Sequence, residues 1–395
     1  MKRILVLNAG SSSIKFGLYS VSKDALMLKG EIERLGTNDA SISTDQFFAA
    51  KHGLTEVSER EPVRARDARE GVRAILDFIL RSKGLKSLRH LAGVGHRVVH
   101  GGEAFSEAVL VDEEVAYRIE ELSTLAPLHN PANLSGIEAV QHVLRGVPNV
   151  AVFDTAFYQS LAPEVYLYGL PRKYYDEHGI RKYGFHGTSH KYCMLEAERL
   201  LGGMPSRLVT CHLGNGSSIT AIKDGVAVDT SMGFTPLDGL LMGTRSGALD
   251  PGVVLQLMRL GLNVEEADRV LNNESGFKAL AGRTDMRDIH AAAEHGDAQA
   301  QLVIAMLALQ LQRFIGSYAG ILGGLDALVF TGGIGCGAWY LRERVASTLA
   351  HLGVSLDVEA NRRGLERVSS GRVAVLVIPT NEELQIARET RELLF

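Results

Sequence analysis

The feature that most constrains this chain is a hairpin that occurs twice. Near the N-terminus the apolar run Ile4 to Leu7 meets the turn set Asn8-Ala9-Gly10-Ser11-Ser12-Ser13 and leaves through Ile14 to Tyr19. Just over half the chain later, Leu208 to Leu213 meets Gly214-Asn215-Gly216-Ser217-Ser218 and leaves through Ile219 to Ile222. Ser12-Ser13-Ile14 superimposes on Ser217-Ser218-Ile219. Glycine and serine serve tight turns, and the flanking runs read as strands. Each copy is followed by segments of helical periodicity, so the chain reads as two related α/β domains. Its 395 residues suit that division at roughly 100–200 residues per domain.

Other elements fill the frame. Leu26 to Leu35 reads as a third strand. Val72, Ile75, Leu76, Ile79 and Leu80 recur at helical spacing within a helix over Asp67–Lys83. Val94 to Val99 is a strand closing on Gly101-Gly102, and helices follow over Asp112–Leu125 and Pro131–Leu144. Pro131 suits a first helical turn. Val150 to Phe153 is a buried strand that delivers Asp154 at its end. Late in the chain come a long helix, Asp297–Leu322, the strand Ala327–Phe330, a loop over Thr331–Gly335, a strand over Val373–Ile378 and a C-terminal helix.

Composition removes several classes. With 42 Lys+Arg against 46 Asp+Glu the net charge is −4, so no basic footprint for nucleic acid is expected. In the late helical region the longest apolar run is Leu302 to Leu309, short of the ~20 residues of a membrane span. The opening MKRILVLNAG has a basic start, but its apolar run stops at Asn8, too soon for a signal peptide. Cys193, Cys211 and Cys336 form neither a disulfide framework nor a CxxC knuckle. A reducing cytoplasm is the expected setting.

Three Gly-rich turns follow strands: NAGSSS from Asn8, HLGNGSS from His212 and TGGIG from Thr331. Without a Cβ, several backbone N–H groups can converge on phosphate oxygens. One such loop is equally a plain β-turn; three, two of them in repeat positions, favour a polyphosphate held between two domains. None fits GxxxxGK[ST], and no GxGxxG opens a helix after a strand, which excludes a P-loop and argues against a dinucleotide fold. Lys15 reads as a phosphate contact or as a solvated strand lysine. Arg97 in GHRVVHGG and Arg245 in MGTRSG are planar, permanently charged forks suited to carboxylate and phosphoryl oxygens; each alone also reads as a salt-bridge residue. His96, His100, His129, His186, His190 and His212 cluster. Neither i,i+4 pair is HExxH, and His96/His100 falls on a strand, so donors to a phosphoryl oxygen fit better than zinc ligands. Asp154 is a metal-anchoring carboxylate or a helix N-cap. In PTNEEL, Thr380 and Glu383 have capping-box spacing, which leaves Glu382 for a metal.

Together these motifs resemble the acetokinase family. NAGSSSIKF, GHRVVHGG, PLHNP, VFDTAF, YGFHGTSH, HLGNGSS, MGTRSG, DMRD, TGGIG and PTNEE stand in that family's order, from Asn8 to Glu383. The resemblance implies two duplicated ribonuclease-H-like, actin-like ATPase domains with an interdomain cleft, over 1–150 plus 381–395 and over 151–380, and a homodimer. It implies reversible phosphoryl transfer from ATP to acetate, giving acetyl phosphate and ADP. By position, Asn8 and Glu382 correspond to the Mg²⁺ site (Mn²⁺ being an alternative), and Arg97 and Arg245 to the acetate and phosphoryl clamps. His186 corresponds to the transition-state stabiliser, His129 to a supporting donor and Asp154 to the catalytic carboxylate. Lys15, His212, Leu213, Gly214, Asn215, Gly216, Asp285, Met286, Arg287, Gly332, Gly333, Ile334 and Gly335 correspond to ATP contacts. Val99, Leu128, Phe185 and Pro236 correspond to the apolar pocket for the acetate methyl. Two departures stand out: Cys336-Gly337 replaces the usual Glu-Asn after TGGIG, and Ala248 replaces an Asp after MGTRSG. A propionate or other short-chain acid kinase, or an actin-like ATPase that is no kinase, are the competing readings.

Overall fold

The computed structural model describes residues 2–50, 53–82 and 84–395. The chain divides into two compact units, Met1–Gln159 with Asn381–Phe395, and Ser160–Thr380.

Unit 1 is built on a sheet of eight strands among the described residues, in the order β5-β4-β3-β2-β1-β6-β8-β7. These are β1 (Arg3–Ala9), β2 (Ser13–Ser20), β3 (Ala25–Glu33), β4 (Ser41–Ala50), β5 (Gly53–Pro62), β6 (Leu91–Val98), β7 (Val109–Leu110) and β8 (Asn149–Phe153). Alternation along β1 sends residues to two faces. Leu5 and Leu7 join a core with Ile14, Phe16, Val72, Ile79 and Val140, under the helices Ala68–Arg81 and Asn130–Val143. Ile4 and Val6 join Val150, Val152, Ile386 and Ala387, under the C-terminal helix Glu382–Leu394.

Unit 2 carries a five-stranded sheet, β11-β10-β9-β12-β13: β9 (Arg207–Leu213), β10 (Ser217–Lys223), β11 (Val226–Thr230), β12 (Ala327–Thr331) and β13 (Ala374–Val377). Its core is organised by the 25-residue helix Ala298–Leu322. That helix is long and apolar enough to cross a membrane by length and composition alone, yet Val303, Leu307, Leu311, Ile315 and Tyr318 are buried against the sheet.

The two sheets share one plan. In unit 1, β3, β2 and β1 run antiparallel and β6 and β8 follow in parallel. In unit 2, β11, β10 and β9 run antiparallel and β12 and β13 follow in parallel. This strand-for-strand duplication is the ribonuclease-H-like, actin-like ATPase architecture, and the twin hairpins are its β1–β2 and β9–β10.

Several sequence expectations change. The β4–β5 hairpin, β7 and β11 had no counterpart in the sequence reading. The helix expected over Asp67–Lys83 runs Ala68–Arg81 behind the N-cap Asp67, whose carboxylate accepts from Glu70 N at 2.8 Å; Lys83 lies outside the described residues. The helix expected over Asp112–Leu125 ends at Glu121 and tightens to a 3₁₀ turn. A division at 150/151 would cut β8, which pairs with β6, and unit 1 continues to Gln159. The TGGIG segment is helical over Gly332–Gly337, not a loop. The capping box in PTNEEL is absent: Asn381 is the N-cap, its side chain accepting from Leu384 N at 3.0 Å. Thr380 is hydrogen-bonded to Ser189 instead, at 2.7 Å.

Candidate active site

Unit 1 gathers one group of the expected residues. Asn8, near the end of β1, faces Lys15 across the hairpin. Arg97 lies on β6 opposite Val152 of β8, and the chain leaving β8 is tied back by Asp154 N donating to Val98 O at 3.0 Å. This parallel register brings Arg97 and Asp154 together. Arg97 Nη2 donates to Asp154 Oδ2 at 2.6 Å and Nε donates to the same oxygen at 3.1 Å. The Asp154 side chain is 1% exposed and that of Arg97 20%. Burial works against the Arg97 charge, but the carboxylates of Asp154 and Glu382 outweigh it and raise the guanidinium pKa. Asp154 therefore takes up the Nε–Nη2 edge, and Nη1 has no protein partner among the described residues.

The carboxyl of Glu382 is pushed up to about 7. Burial is the main cause, Asp154 and Glu383 add to it, and Arg97 and Lys15 oppose it. Oxygen donors in such an excess of carboxylate suit a hard divalent cation, so the surroundings of Glu382 fit a metal. Among the described residues no group of three or more His, Cys, Asp or Glu could hold a metal ion.

Two residues the sequence reading passed over set the backbone here. Asn133 Oδ1 accepts from Val99 N at 3.1 Å, while its Nδ2 donates to Ala9 O at 2.7 Å. Asn130 Oδ1 accepts from His100 N at 3.1 Å and its Nδ2 donates to His100 O at 2.9 Å. Both are buried at the start of the helix Asn130–Val143, for which His129 is the N-cap. The only sequence signal is a pair of asparagines at i,i+3, poor helix formers that need a reason to be there.

Unit 2 gathers the rest. His186 has φ 59° and ψ 23°, a left-handed conformation at the start of the helix Gly187–Leu201. Such strain in a non-glycine residue concentrates at functional sites. Its ring stacks on His212, with centroids 4.4 Å apart. Arg245 is half-buried, and burial lowers its pKa. Its partners among the described residues are Pro236 O at 3.3 Å and Met242 Sδ at 4.0 Å, with no carboxylate. A Cβ at Gly216 would stand 3.5 Å from both Arg245 Nη1 and His186 Nε2. The two side chains thus converge on the glycine turn.

Beside this lies a cavity of about 840 Å³. Of the residues expected to contact the nucleotide, Gly214, Asn215, Asp285, Met286, Arg287, Gly333 and Ile334 line it. His290, Trp339 and Tyr340, unforeseen from the sequence, add aromatic surface, and Gly337 also lines the cavity. The turn Gly332–Gly337 packs against β9: a Cβ on Gly332, at φ +76°, would lie 2.4 Å from Leu213 O. Behind it Arg342, 1% exposed, donates from Nη1 to Gly335 O and Cys336 O at 2.6 and 2.8 Å, and from Nε to Asn361 Oδ1 at 2.7 Å. A buried cation on the C-terminal carbonyls favours the helical state of a six-residue segment that carries four glycines. Asp285 and Arg287 pair with each other at 2.5 Å on the surface. Lys15, Val99 and Leu128 belong to unit 1, Phe185 and Pro236 to unit 2. Val99 and Phe185 are buried, whereas Leu128 is 72% exposed.

Residues 3–388 match the acetokinase family. The chain belongs to the acetokinase family. It is therefore a phosphotransferase with a carboxyl group as acceptor. An acetate kinase of Thermotoga maritima is 48% identical over 405 residues, covering 99% of this chain and 98% of its own. The crystal structure of Porphyromonas gingivalis acetate kinase superimposes with a TM-score of 0.91 at 39% identity, over 100% of both chains. That of a propionate kinase from Francisella tularensis gives 0.90 at 39% identity, over 98% of this chain and 99% of the other.

Proposed function

We propose that this acetokinase-family enzyme transfers the γ-phosphoryl group of ATP directly to acetate, reversibly, giving acetyl phosphate and ADP. Acetate has a pKa near ~4.3, like a glutamate side chain, and is ionised at neutral pH. No general base is needed. The barrier is repulsion between a carboxylate and a polyphosphate, so positive charge and positioning supply the catalysis. Arg97 offers its outer edge to the carboxylate, with Asp154 holding the opposite edge. Arg245 and His186 bind the transferring phosphoryl group. The nucleotide occupies the cavity of unit 2, and Val99, Leu128, Phe185 and Pro236 serve the methyl group. His129 supports the acceptor, and Lys15 approaches a phosphate. Asn8 and Glu382 hold Mg²⁺, with Mn²⁺ as substitute; when bound, it neutralises phosphate charge. The enzyme acts as a cytoplasmic homodimer.

The observation that carries this reading is Arg245, a half-buried guanidinium whose protein partners are a carbonyl and a thioether. Such a group calls for an anion. The equal likeness to a propionate kinase favours propionate as the second reading, since one methylene is worth only ~1–3 kcal/mol in a pocket. A hydroxamate assay with ATP and acetate, propionate or butyrate tests both. The highest kcat/KM on acetate supports the first reading, the highest on propionate supports the second, and turnover of ATP unaffected by any acid rejects both.

A further inference from the structure

His186 is one end of a buried chain of hydrogen bonds. Its Nδ1 is 2.9 Å from Ser218 Oγ. The same oxygen is 2.8 Å from His190 Nε2, and His190 Nδ1 is 2.6 Å from Thr210 Oγ1. Ser218, His190 and Thr210 are each 0% exposed. The fold makes this alignment. Ser218 of β10 pairs with His212 of β9, and Thr210 points to the same face as His212, two residues on. The helix Gly187–Leu201 lays His190 against that face.

Ser218 has a single hydroxyl proton, so it cannot donate to both rings. Two uniform directions are open to the chain. In one, Thr210 donates to His190 Nδ1, His190 Nε2–H donates to Ser218, and Ser218 donates to His186 Nδ1. That leaves the His186 proton on Nε2. In the other direction every bond reverses, and a neutral His186 turns a lone pair out at Nε2. The ring environment also speaks against an imidazolium. His186 Nε2 and Arg245 Nη1 lie 3.5 Å from one point at Gly216, so a second cation would meet the guanidinium at short range.

We propose that Thr210, His190 and Ser218 are positioning residues that fix His186 as the neutral Nε2–H tautomer, aimed to donate to a phosphoryl oxygen. This rests on the phosphoryl-clamp reading above, because only a donor role at Nε2 selects between the two directions. None of the three touches substrate; they act through His186.

The test is ¹⁵N-histidine NMR of the full-length protein, with His186 assigned by the signals missing from His186→Gln. The proposal expects a protonated Nε2 and an unprotonated Nδ1 in the wild type. In Ser218→Ala the two tautomers mix, and kcat falls about 10-fold while both KM values stay within about 2-fold, the signature of a lost proton donor rather than a lost site. Thr210→Val, which keeps the shape of the side chain, gives the same tautomer mixing at smaller amplitude and serves if Ser218→Ala does not fold. A wild-type His186 protonated on Nδ1, or on both nitrogens, overturns the proposal, as does a tautomer that neither variant moves. The clamp reading fails separately, through an Arg245→Ala enzyme of normal turnover, whatever the tautomer.

Discussion

Asp154→Asn separates an orienting carboxylate from a catalytic base. The wild-type carboxylate accepts from Arg97 Nη2 at 2.6 Å and from Nε at 3.1 Å, and its side chain is 1% exposed. The amide keeps the shape but supplies one acceptor oxygen. With that oxygen in the place of Oδ2, the amide NH₂ takes the place of Oδ1, which accepts from Nε at 3.3 Å in the wild type, and two donors oppose each other. Breaking one side of a buried pair costs about 3–5 kcal/mol. Arg97 is one-fifth exposed and keeps the Glu382 carboxylate nearby, which reduces the expected loss to about 2–3 kcal/mol. Urea unfolding of the two proteins measures it. Arg97 also loses its fixed orientation, and misplacement of that kind costs about 10²-fold. The account places this loss mainly in KM for the carboxylate, with the pH profile of kcat unchanged in shape. Unaltered stability, unaltered KM and a fall in kcat of about 10⁴, with the acid limb of the profile gone, is what a general base would give, and would refute the reasoning.

Three further outcomes follow from the geometry. Gly216→Ala places a methyl group in ordinary contact with Arg245 Nη1 and His186 Nε2, at 3.5 Å from each; the protein should fold normally yet lose about 10² in kcat or more, and a fully active, folded variant would contradict the convergence of these groups. Arg342→Met strips the carbonyls of Gly335 and Cys336 of their donor, so KM for ATP should rise about 10-fold with KM for acetate unmoved, as two-substrate kinetics will show. His96 and His100 are buried, and burial lowers each pKa to about 4. The unfolded chain takes up these protons near pH ~6.5, so stability is full above that value, falls as pH drops, and levels off below about 4. By about pH 5 each costs ~2 kcal/mol. The raised carboxyl of Glu382 pulls the other way, so the check is the urea midpoint of wild type against His96→Gln at about pH 8 and about pH 5; an identical pH slope in both would sink it.

How much of this was legible in the sequence follows from the range of the interactions. The twin hairpins were readable because a Gly/Ser turn between two apolar runs is a local device. Val72, Ile75, Leu76 and Ile79 declared their helix for the same reason. The Arg97–Asp154 pair was not readable as a pair: only the parallel register of β6 and β8 makes the two neighbours. Thr210 lay inside the strand run Leu208 to Leu213 and Ser218 in the turn after it, and both became part of the site once a helix brought His190 between them. TGGIG misled because glycine propensity argues for a loop, while a cation elsewhere in the chain, Arg342, holds the turn helical. Thr380 and Asn381 are both good caps by type, and Ser189 decided between them by engaging the Thr380 hydroxyl.

The central claim is that fixed positive charge, with no base, carries a carboxylate to a phosphoryl group. Steady-state kinetics of Arg245→Ala in the carboxylate and nucleotide assay tests it most directly. The account predicts a fall in kcat of about 10³ or more, as arginine-finger losses give, in a protein whose unfolding midpoint is unchanged. Turnover close to that of the wild type would contradict it.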